Sequence, residues 1–578
     1  MEFGLIAVAA VVLLVGVSML SGRIGIAAPL VLIVVGMGIG YIPGVPHIEI
    51  DPEIVLIGVL PPILYAAAVN VPFMDFRRNL SPVAGLSVLL VLLSALTVGF
   101  LLHLAMPQIP FAAAVALGAV ISPPDAVAAT SIGKRLGLPE RIVTILEGES
   151  LVNDATTLVL LRTALAALGG SFFFWPAAGS FAYAVFGAIV IGLVIGIVTV
   201  WIRSHINNPV YDTLISFVVP FVSFIPAEEL HASGVLAVVI TGLYTGHAAP
   251  RRFSAVTRTN ERLNWRTLQF VLENGVFLLM GLQLHTLVDE VDDADFHLGH
   301  VAIIAVALVA LLIVSRALFV IPLIATMRGE ARRRRARGAG IDRLEARMRS
   351  RGTLDDEHAV RRLELAKERA QADLDHELGT QLGWRDGIVL SWSAMRGVVT
   401  LAAAQSIPAT VPYRPQIVLI AFLVAVITLL LHGLTLPTLI RWLWPEGVSR
   451  GSDGVELASL SRDLIDAGID AIDDQLQNEA DDPELTITPE PVIQRAKSSA
   501  RNSLAPLALR LRDASSLDAH AEETPAEAYL RLARVALEAQ RAALLEERAI
   551  GRYSAKTIRA AEIALDAHET RITPMTGH

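Results

Sequence analysis

The sequence predicts an all-α polytopic membrane protein. It has about thirteen transmembrane helices with inverted repeats and two crossing interrupted helices, followed by a helical cytoplasmic tail. Three observations predict this. The chain of 578 residues is 53% hydrophobic and only 18% charged, against about 25% charged in ordinary soluble domains, and its mean hydropathy is +0.56. Its charges cluster, leaving repeated apolar runs of about twenty residues, the length that crosses a hydrocarbon core. Two of those runs carry helix-interrupting groups near their middles. The chain has no cysteine, which excludes disulfides and thiolate metal sites. Its formal net charge of −9 says little about partners, because topology distributes the charge.

In chain order the spans centre near residues 3–20, 24–42, 52–70, 81–105, 110–133, 140–168, 180–203, 210–226, 231–249, 266–288, 299–327, 386–406 and 415–444. The opening M-E-F-G-L-I-A-V lacks the basic region and cleavage site of a signal peptide and reads as the start of the first span. Arg23, Arg77, Arg78, Lys134, Arg135, Arg141, Arg203, Arg251, Arg252, Arg258, Arg262 and Arg266 fall in or beside alternate connections. The other connections are poor in positive charge, and one carries Asp289, Glu290, Asp292, Asp293 and Asp295. Short basic loops stay cytoplasmic, so the N-terminus is expected outside and the C-terminus in the cytoplasm of a cell whose plasma (inner) membrane holds the protein.

Residues 1–446 form the expected transmembrane domain, with a hydrophilic cytoplasmic insert at 328–382. Most of the insert reads as a solvated helix through Leu363, Leu365, Leu374 and Leu378, and Arg332–Arg335 as a contact for anionic lipid. Acidic residues soon balance that basic run, which argues against nucleic acid as a partner. Residues 447–578 form the expected cytoplasmic C-terminal region. It has an acidic patch (Asp470, Asp473, Asp474, Glu479, Asp481, Asp482), a break at Pro489–Pro491 and helices near Pro525–Ala549 and Ala555–Ile572. It shows no phosphate loop, metal cluster or catalytic set, and the acidic patch reads as a solvated face.

The stretch from Pro139 to Leu168 carries Glu147, Glu149, Ser150, Asn153 and Asp154 between apolar ends. At 1.5 Å per residue, Asp154 stands roughly 20 Å along a helix, mid-way through a core of about 30 Å. A carboxylate there costs on the order of 3 kcal/mol and is tolerated beside a water-filled cavity, a partner or an ion. Ser150 and Asp154 share a face, with Asn153 beside them. Carboxylate, hydroxyl and amide oxygens form a hard set suited to a small alkali cation, for which Asp154 and Ser150 are the expected metal ligands. Burial favours a protonated carboxyl and a bound cation favours the ionised form, so one acid with both properties can exchange the two.

In the fifth span, Ser122-Pro123-Pro124-Asp125 falls at mid-membrane. Consecutive prolines remove backbone donors and clash with the preceding turn, so an interrupted helix with free carbonyls around a polar cavity is expected. The plainer alternative is a proline kink with a satisfied Asp125. In the twelfth span, Arg396 and Gly397 stand halfway across, and an arginine there needs an anion. Glu149, turned away from Asp154, is the candidate partner. Spans five and twelve cross in opposite directions, as expected of an inverted repeat that places a substrate where broken helices meet.

The motifs E-G-E-S-L-V-N-D-A-T-T-L-V-L, I-S-P-P-D-A-V-A and S-A-M-R-G-V-V-T-L-A resemble the sodium/proton exchangers of the monovalent cation:proton antiporter superfamily, in the branch with an Asn-Asp pair. The likeness covers about residues 5–445 and extends to Ala227–Gly234 and Glu273–Leu282. It implies secondary-active exchange of Na+ for H+ by alternating access, with Li+ or K+ as alternatives, electroneutral and one for one. By the same resemblance Asp154 binds the ion and the proton, Asn153 supports the site, Ser150 adds an oxygen, Asp125 lies at the unwound crossing, and Glu149 and Arg396 form a buried structural pair. It also implies a homodimer, with spans four to six and eleven to thirteen moving as a core, and no cofactor beyond the transported ions. Two departures from the resemblance stand out: Ala66 and Pro124 stand where several members of the family resembled have, respectively, an acid and a threonine that helps ligate the ion.

Glu273, Glu228 and Glu147 are secondary candidates. Glu273 lies inside span ten and needs an aqueous or paired environment. Glu228 stands where an acid suits the helix dipole of span nine, and Glu147 reads as a wetted funnel residue. His231 reads as an orienting residue, since no second ligand stands at metal spacing, and His103 and His432 as interfacial. Competing readings are a K+/H+ antiporter, an ion channel or sensor on the same scaffold, and an intramembrane aspartyl protease. Arg396 and the interrupted helices weigh against the protease, so no enzyme is expected.

Overall fold

Every regular element among the described residues is a helix. The computed structural model describes residues 2–24, 26–42, 52–169, 174–206, 208–292, 298–350, 382–444, 465–477 and 490–502. The chain divides into two compact units, Met1–Gly447 and Val448–His578.

The first unit contains α1 (Glu2–Ile24), α2 (Ala28–Gly40), α3 (Leu60–Asn70), α4 (Phe73–Arg78), α5 (Leu80–Ala84), α6 (Val91–Ala105), α7 (Phe111–Ile121), α8 (Ala126–Leu136) and α9 (Glu140–Leu168). There follow α10 (Phe174–Ser204), α11 (Pro209–Glu229), α12 (Gly234–Arg252), α13 (Ala255–Leu282), α14 (Leu284–Asp292), α15 (Leu298–Ser350), α16 (Trp384–Trp392), α17 (Val398–Gln405) and α18 (Arg414–Leu443). Wider π-helical turns at Ile54–Val59 and Gly85–Leu90 lead into α3 and α6. Eight helical segments are long and apolar enough to cross a membrane, and three shorter apolar helices accompany them. This is a polytopic helical membrane protein.

Local sequence sets the ends. Asn208, Ser233 and Ser254 cap α11, α12 and α13 with their side-chain oxygens. Gly137 closes α8 at φ 75°, in the left-handed region that favours glycine. α15 runs unbroken for 53 residues, past the membrane-length segment and through Arg332–Arg335. The insert therefore begins as a continuation of span eleven rather than as a separate helix. Residues 351–381 lie outside the described residues.

Lipid is as apolar as a leucine side chain, so close packing and polar contacts, rather than burial from water, hold such helices together. At the crossing of α2 and α13, a Cβ on Gly36 would fall 2.5 Å from the Leu278 carbonyl oxygen, and one on Gly281 2.4 Å from that of Ile33. Only hydrogen at both positions lets the two backbones touch. Arg203, at the end of α10, is buried rather than wetted. Its Nε and Nη2 donate to the Asp212 carboxylate at 2.8 and 2.9 Å, and its Nη1 donates to Glu261 at 2.7 Å. The Phe253 ring lies 4.4 Å from its guanidinium carbon. This cluster ties α10, α11 and α13 together.

The apolar interior falls into two clusters. One is built on α6, α7 and α18, through residues such as Leu102, Leu117 and Val424. The other is built on α3, α11 and α12, through Tyr65, Phe224 and Val238. α9 serves both: Ile145 and Leu161 join the first, Leu151 and Ala155 the second. α9 is thus the seam of the unit, and its polar residues stand there.

In the second unit, 465–477 and Glu490–Asn502 are helical, and Lys497 pairs with Asp473 at 2.5 Å. Pro491 sits in the first turn of its helix, where a proline needs no donor. Glu479, Asp481, Asp482 and the tail helices expected near 525–549 and 555–572 lie outside the described residues.

Candidate ion-binding site

Two helices break beside α9. α7 stops at Ile121 and α8 begins at Ala126, leaving Ser122–Asp125 as unwound chain. Asp125 caps α8, its Oδ1 accepting from the Val127 amide at 2.8 Å. α16 stops at Trp392 and α17 begins at Val398. The two breaks meet: the Asp125 amide donates to the Met395 carbonyl at 2.6 Å. A Cβ on residue 397 would fall 1.9 Å from Asp125 Oδ2, so Gly397 is what admits the aspartate to the crossing.

Arg396 supplies donors to carbonyls that the broken helices leave free. Its Nε donates to Ile121 at 2.9 Å and its Nη2 to Ser122 at 3.3 Å, while Nη1 donates to Ala394 at 2.5 Å. α9 closes the third side. Asn153 Nδ2 donates to the Pro124 carbonyl at 2.7 Å, and Ser150 Oγ accepts from the Ala126 amide at 3.4 Å. Asp154 is 9% exposed. Among the described residues its carboxylate has no hydrogen bond or ion pair, and Asp125 is near enough to repel it. The structure thus brings Asp125, Ser150, Asn153, Asp154 and Arg396 to one place: two acids, neutral oxygens and a fixed cation around a double break. Such a set can hold one small cation or a proton.

The expected pairing of Glu149 with Arg396 is corrected. Glu149 faces Arg316 of α15, whose Nη1 and Nη2 donate to its two carboxylate oxygens at 2.5 and 2.7 Å. The Arg316 Nε donates to the Leu390 carbonyl at 2.8 Å. The fork of one guanidinium matches both oxygens of one carboxylate, so the pair is complete without Arg396. Arg396 is close enough to feel Glu149 but spends its nitrogens on main-chain oxygens. Arg316 was open to detection as a lone arginine in the uncharged run of span eleven, but no proline or glycine beside it marks a break.

The secondary candidates occupy the periphery. Glu273 of α13 accepts from Gln269 Nε2 at 2.7 Å and lies within electrostatic reach of Asp125. Glu228 stands in the last turn of α11; its Oε1 accepts from the amide of Gly234, the first residue of α12, at 2.9 Å, and its Oε2 pairs with Arg162. Glu147 pairs with Lys134 of α8 at 2.6 Å. His231 forms the tight turn between α11 and α12, at φ 57°. His432 is fully buried, edge-on to Trp392 at 5.2 Å, and not interfacial as expected. Trp392 is the last residue of α16, so the contact lies where α18 meets that helix. Among the described residues, no group of three or more histidine, aspartate or glutamate side chains is arranged to hold a metal ion.

Comparison with known proteins bears on this geometry. The family described as sodium/hydrogen exchanger, transmembrane, matches residues 8–442. An uncharacterized Na+/H+ exchanger of Mycobacterium tuberculosis is 31% identical over 461 residues, 78% of this chain and 77% of that one. A sodium, potassium, lithium and rubidium/H+ antiporter of Bacillus subtilis is 30% identical over 267 residues, 45% of this chain and 40% of that one. The sodium proton antiporter MjNhaP1 of Methanocaldococcus jannaschii superposes with a TM-score of 0.55 at 16% identity, over 75% of this chain and 96% of that one. The match to the family spans nearly all of the first unit, both broken helices and α9 included, and this chain belongs to the sodium/hydrogen exchanger family of monovalent cation:proton antiporters.

Proposed function

We propose that this antiporter exchanges Na+ for H+ one for one, with the Asp154 carboxylate holding either ion in turn. The observation that carries the reading is the state of that carboxylate: buried on the seam helix, beside two helix breaks, and without a protein partner among the described residues. A proton and a cation compete for the same oxygens, so the site carries one or the other. Each form is neutral at this carboxylate, which is why the exchange is electroneutral. Asn153, Ser150 and Asp125 frame the cation. Arg316 neutralises Glu149, and Arg396 holds the crossing in shape. Glu273, Glu228 and Glu147 act at the approaches. The eight long spans, the three short ones, α12 and the broken pair α16–α17 make thirteen crossings. In our reading they form inverted repeats in a homodimer, with the N-terminus outside and residues 447–578 cytoplasmic.

The test uses purified protein in proteoliposomes, with proton movement followed on addition of Na+, Li+ or K+ across a pH series. The unaltered chain moves protons in response to Na+, at a rate indifferent to an imposed membrane potential. Asp154→Asn abolishes the response while its melting temperature stays near that of the parent. Exchange retained by Asp154→Asn refutes the role of Asp154. A response to K+ exceeding that to Na+ refutes the sodium preference and leaves a K+/H+ antiporter, in line with the mixed cations named for the Bacillus relative.

A further inference from the structure

Several buried or half-buried threonine hydroxyls in this unit are satisfied by their own helix, and that of Thr157 is not. Thr163, Thr241, Thr245 and Thr428 each donate to the main-chain carbonyl one turn back, at 2.8 or 2.9 Å. Thr156, the neighbour of Thr157, leans the same way towards Val152, at 3.4 Å. Thr157 is 1% exposed, and its Oγ1 has no hydrogen-bond partner. A buried hydroxyl without a partner is unfavourable unless something else occupies the space before it.

Position decides what that occupant is. Thr157 stands four residues after Asn153 and three after Asp154, so the three side chains are neighbours on one stretch of α9. The Asn153 amide spends its nitrogen on the Pro124 carbonyl, while its oxygen, Oδ1, is likewise buried and unpartnered. Two neutral oxygens therefore stand unused beside an unpaired carboxylate. A hydrogen-bond donor would suit either oxygen. A cation suits both together with Asp154, and oxygen-only ligation is the preference of a hard alkali ion.

We infer that Thr157 Oγ1, with Asn153 Oδ1, ligates the transported alkali cation beside Asp154. The inference rests on the reading of Asp154 as the ion carrier. Thr157 is then a specificity-determining residue. It adds one neutral oxygen to the cation-bound form and nothing to the proton-bound form, so its loss weakens cation binding selectively.

The experiment is exchange in proteoliposomes over a range of Na+ and Li+ concentrations, paired with melting of the purified protein in Na+ and in choline. Thr157→Val keeps the shape and removes the oxygen, and Thr157→Ala, which inserts nothing, guards against a packing failure of valine. Both are expected to raise half-saturating Na+ about tenfold, the effect of losing one modest interaction. The maximal rate and the melting temperature in choline stay near those of the parent, and the rise in melting temperature on adding Na+ shrinks. Thr157→Ser restores the parent values. Unchanged half-saturation in both variants overturns the inference, as does a lower melting temperature in choline with an unchanged Na+ response. That second pattern makes Thr157 a structural hydroxyl satisfied by water. If the parent moves no protons, or Asp154→Asn still does, the underlying reading fails. If those controls hold and Thr157→Val and Thr157→Ala are silent, only the threonine assignment fails.

Discussion

Removing Arg316 should destabilise the first unit severely, because it strands a buried carboxylate. Glu149 is fully buried, and the side chains of the pair are 1% and 3% exposed. Stripping one partner from a buried ion pair costs about 3–5 kcal/mol, because the remaining charge has no solvent to turn to. Arg316→Ala also leaves the Leu390 carbonyl without its donor, worth about 1 kcal/mol more. The total is about 4–6 kcal/mol. With about 2 °C lost per kcal/mol in a large domain, the melting temperature falls by about 10 °C. Arg396→Ala removes three donors to carbonyls and costs about 3 kcal/mol, but it leaves Glu149 paired. A double-mutant cycle separates the two. Glu149→Gln should recover most of the loss in the Arg316→Ala background and none in the Arg396→Ala background, measured by thermal melting of purified protein in detergent. A coupling of Glu149 to Arg396 larger than its coupling to Arg316 would refute the assignment.

Two further outcomes follow from packing. Gly397→Ala places a methyl group where the Asp125 carboxylate stands, 1.9 Å from Oδ2, so the crossing must shift. Cation-driven proton movement is expected to fall to background while the protein still reaches the membrane; exchange near the parent rate would show that the crossing tolerates displacement. Arg203→Met strands the carboxylates of Asp212 and Glu261, whose side chains are 4% and 5% exposed. It should cost about 3–5 kcal/mol, seen as a lower melting temperature and poor yield, and a melting curve matching the parent would deny the cluster its structural role.

Much of the geometry of the candidate site was legible in the sequence because its signals are local. Prolines at 123 and 124 interrupt a helix wherever it packs, and the helix does stop at Ile121. Ser150, Asn153 and Asp154 share one stretch of α9 by helical periodicity alone. Pairing across the bundle is another matter. Glu149 had two mid-membrane arginines to choose from, and no pattern along the chain measures the distance from span six to spans eleven and twelve. Arg396 drew notice because a glycine follows it, while Arg316 sits in an uninterrupted helix. His432 was misplaced for a related reason: hydropathy reports that α18 is apolar, not that α18 lies inside the bundle. Most of α18 is buried, whereas most of α10 faces outward. The length of α15 beyond the membrane was hidden too, since a charge-rich run reads the same whether it starts a new helix or prolongs an old one.

The contacts that join the two breaks to each other and to α9 share a property of some consequence. Met395 O, Ile121 O, Ser122 O, Pro124 O and the amides of Asp125 and Ala126 are all main-chain atoms. The carbonyls survive any amino-acid replacement at their own positions, and the two amides survive any but proline. The framework of the crossing therefore hangs on few side chains: Arg396, Asn153 and Ser150 reach backbone atoms of the first break, and the remaining contact is backbone to backbone. A lineage, or a designer, that keeps those three side chains and Gly397 has more freedom at the other residues of the two breaks, because what they contribute to the crossing is backbone.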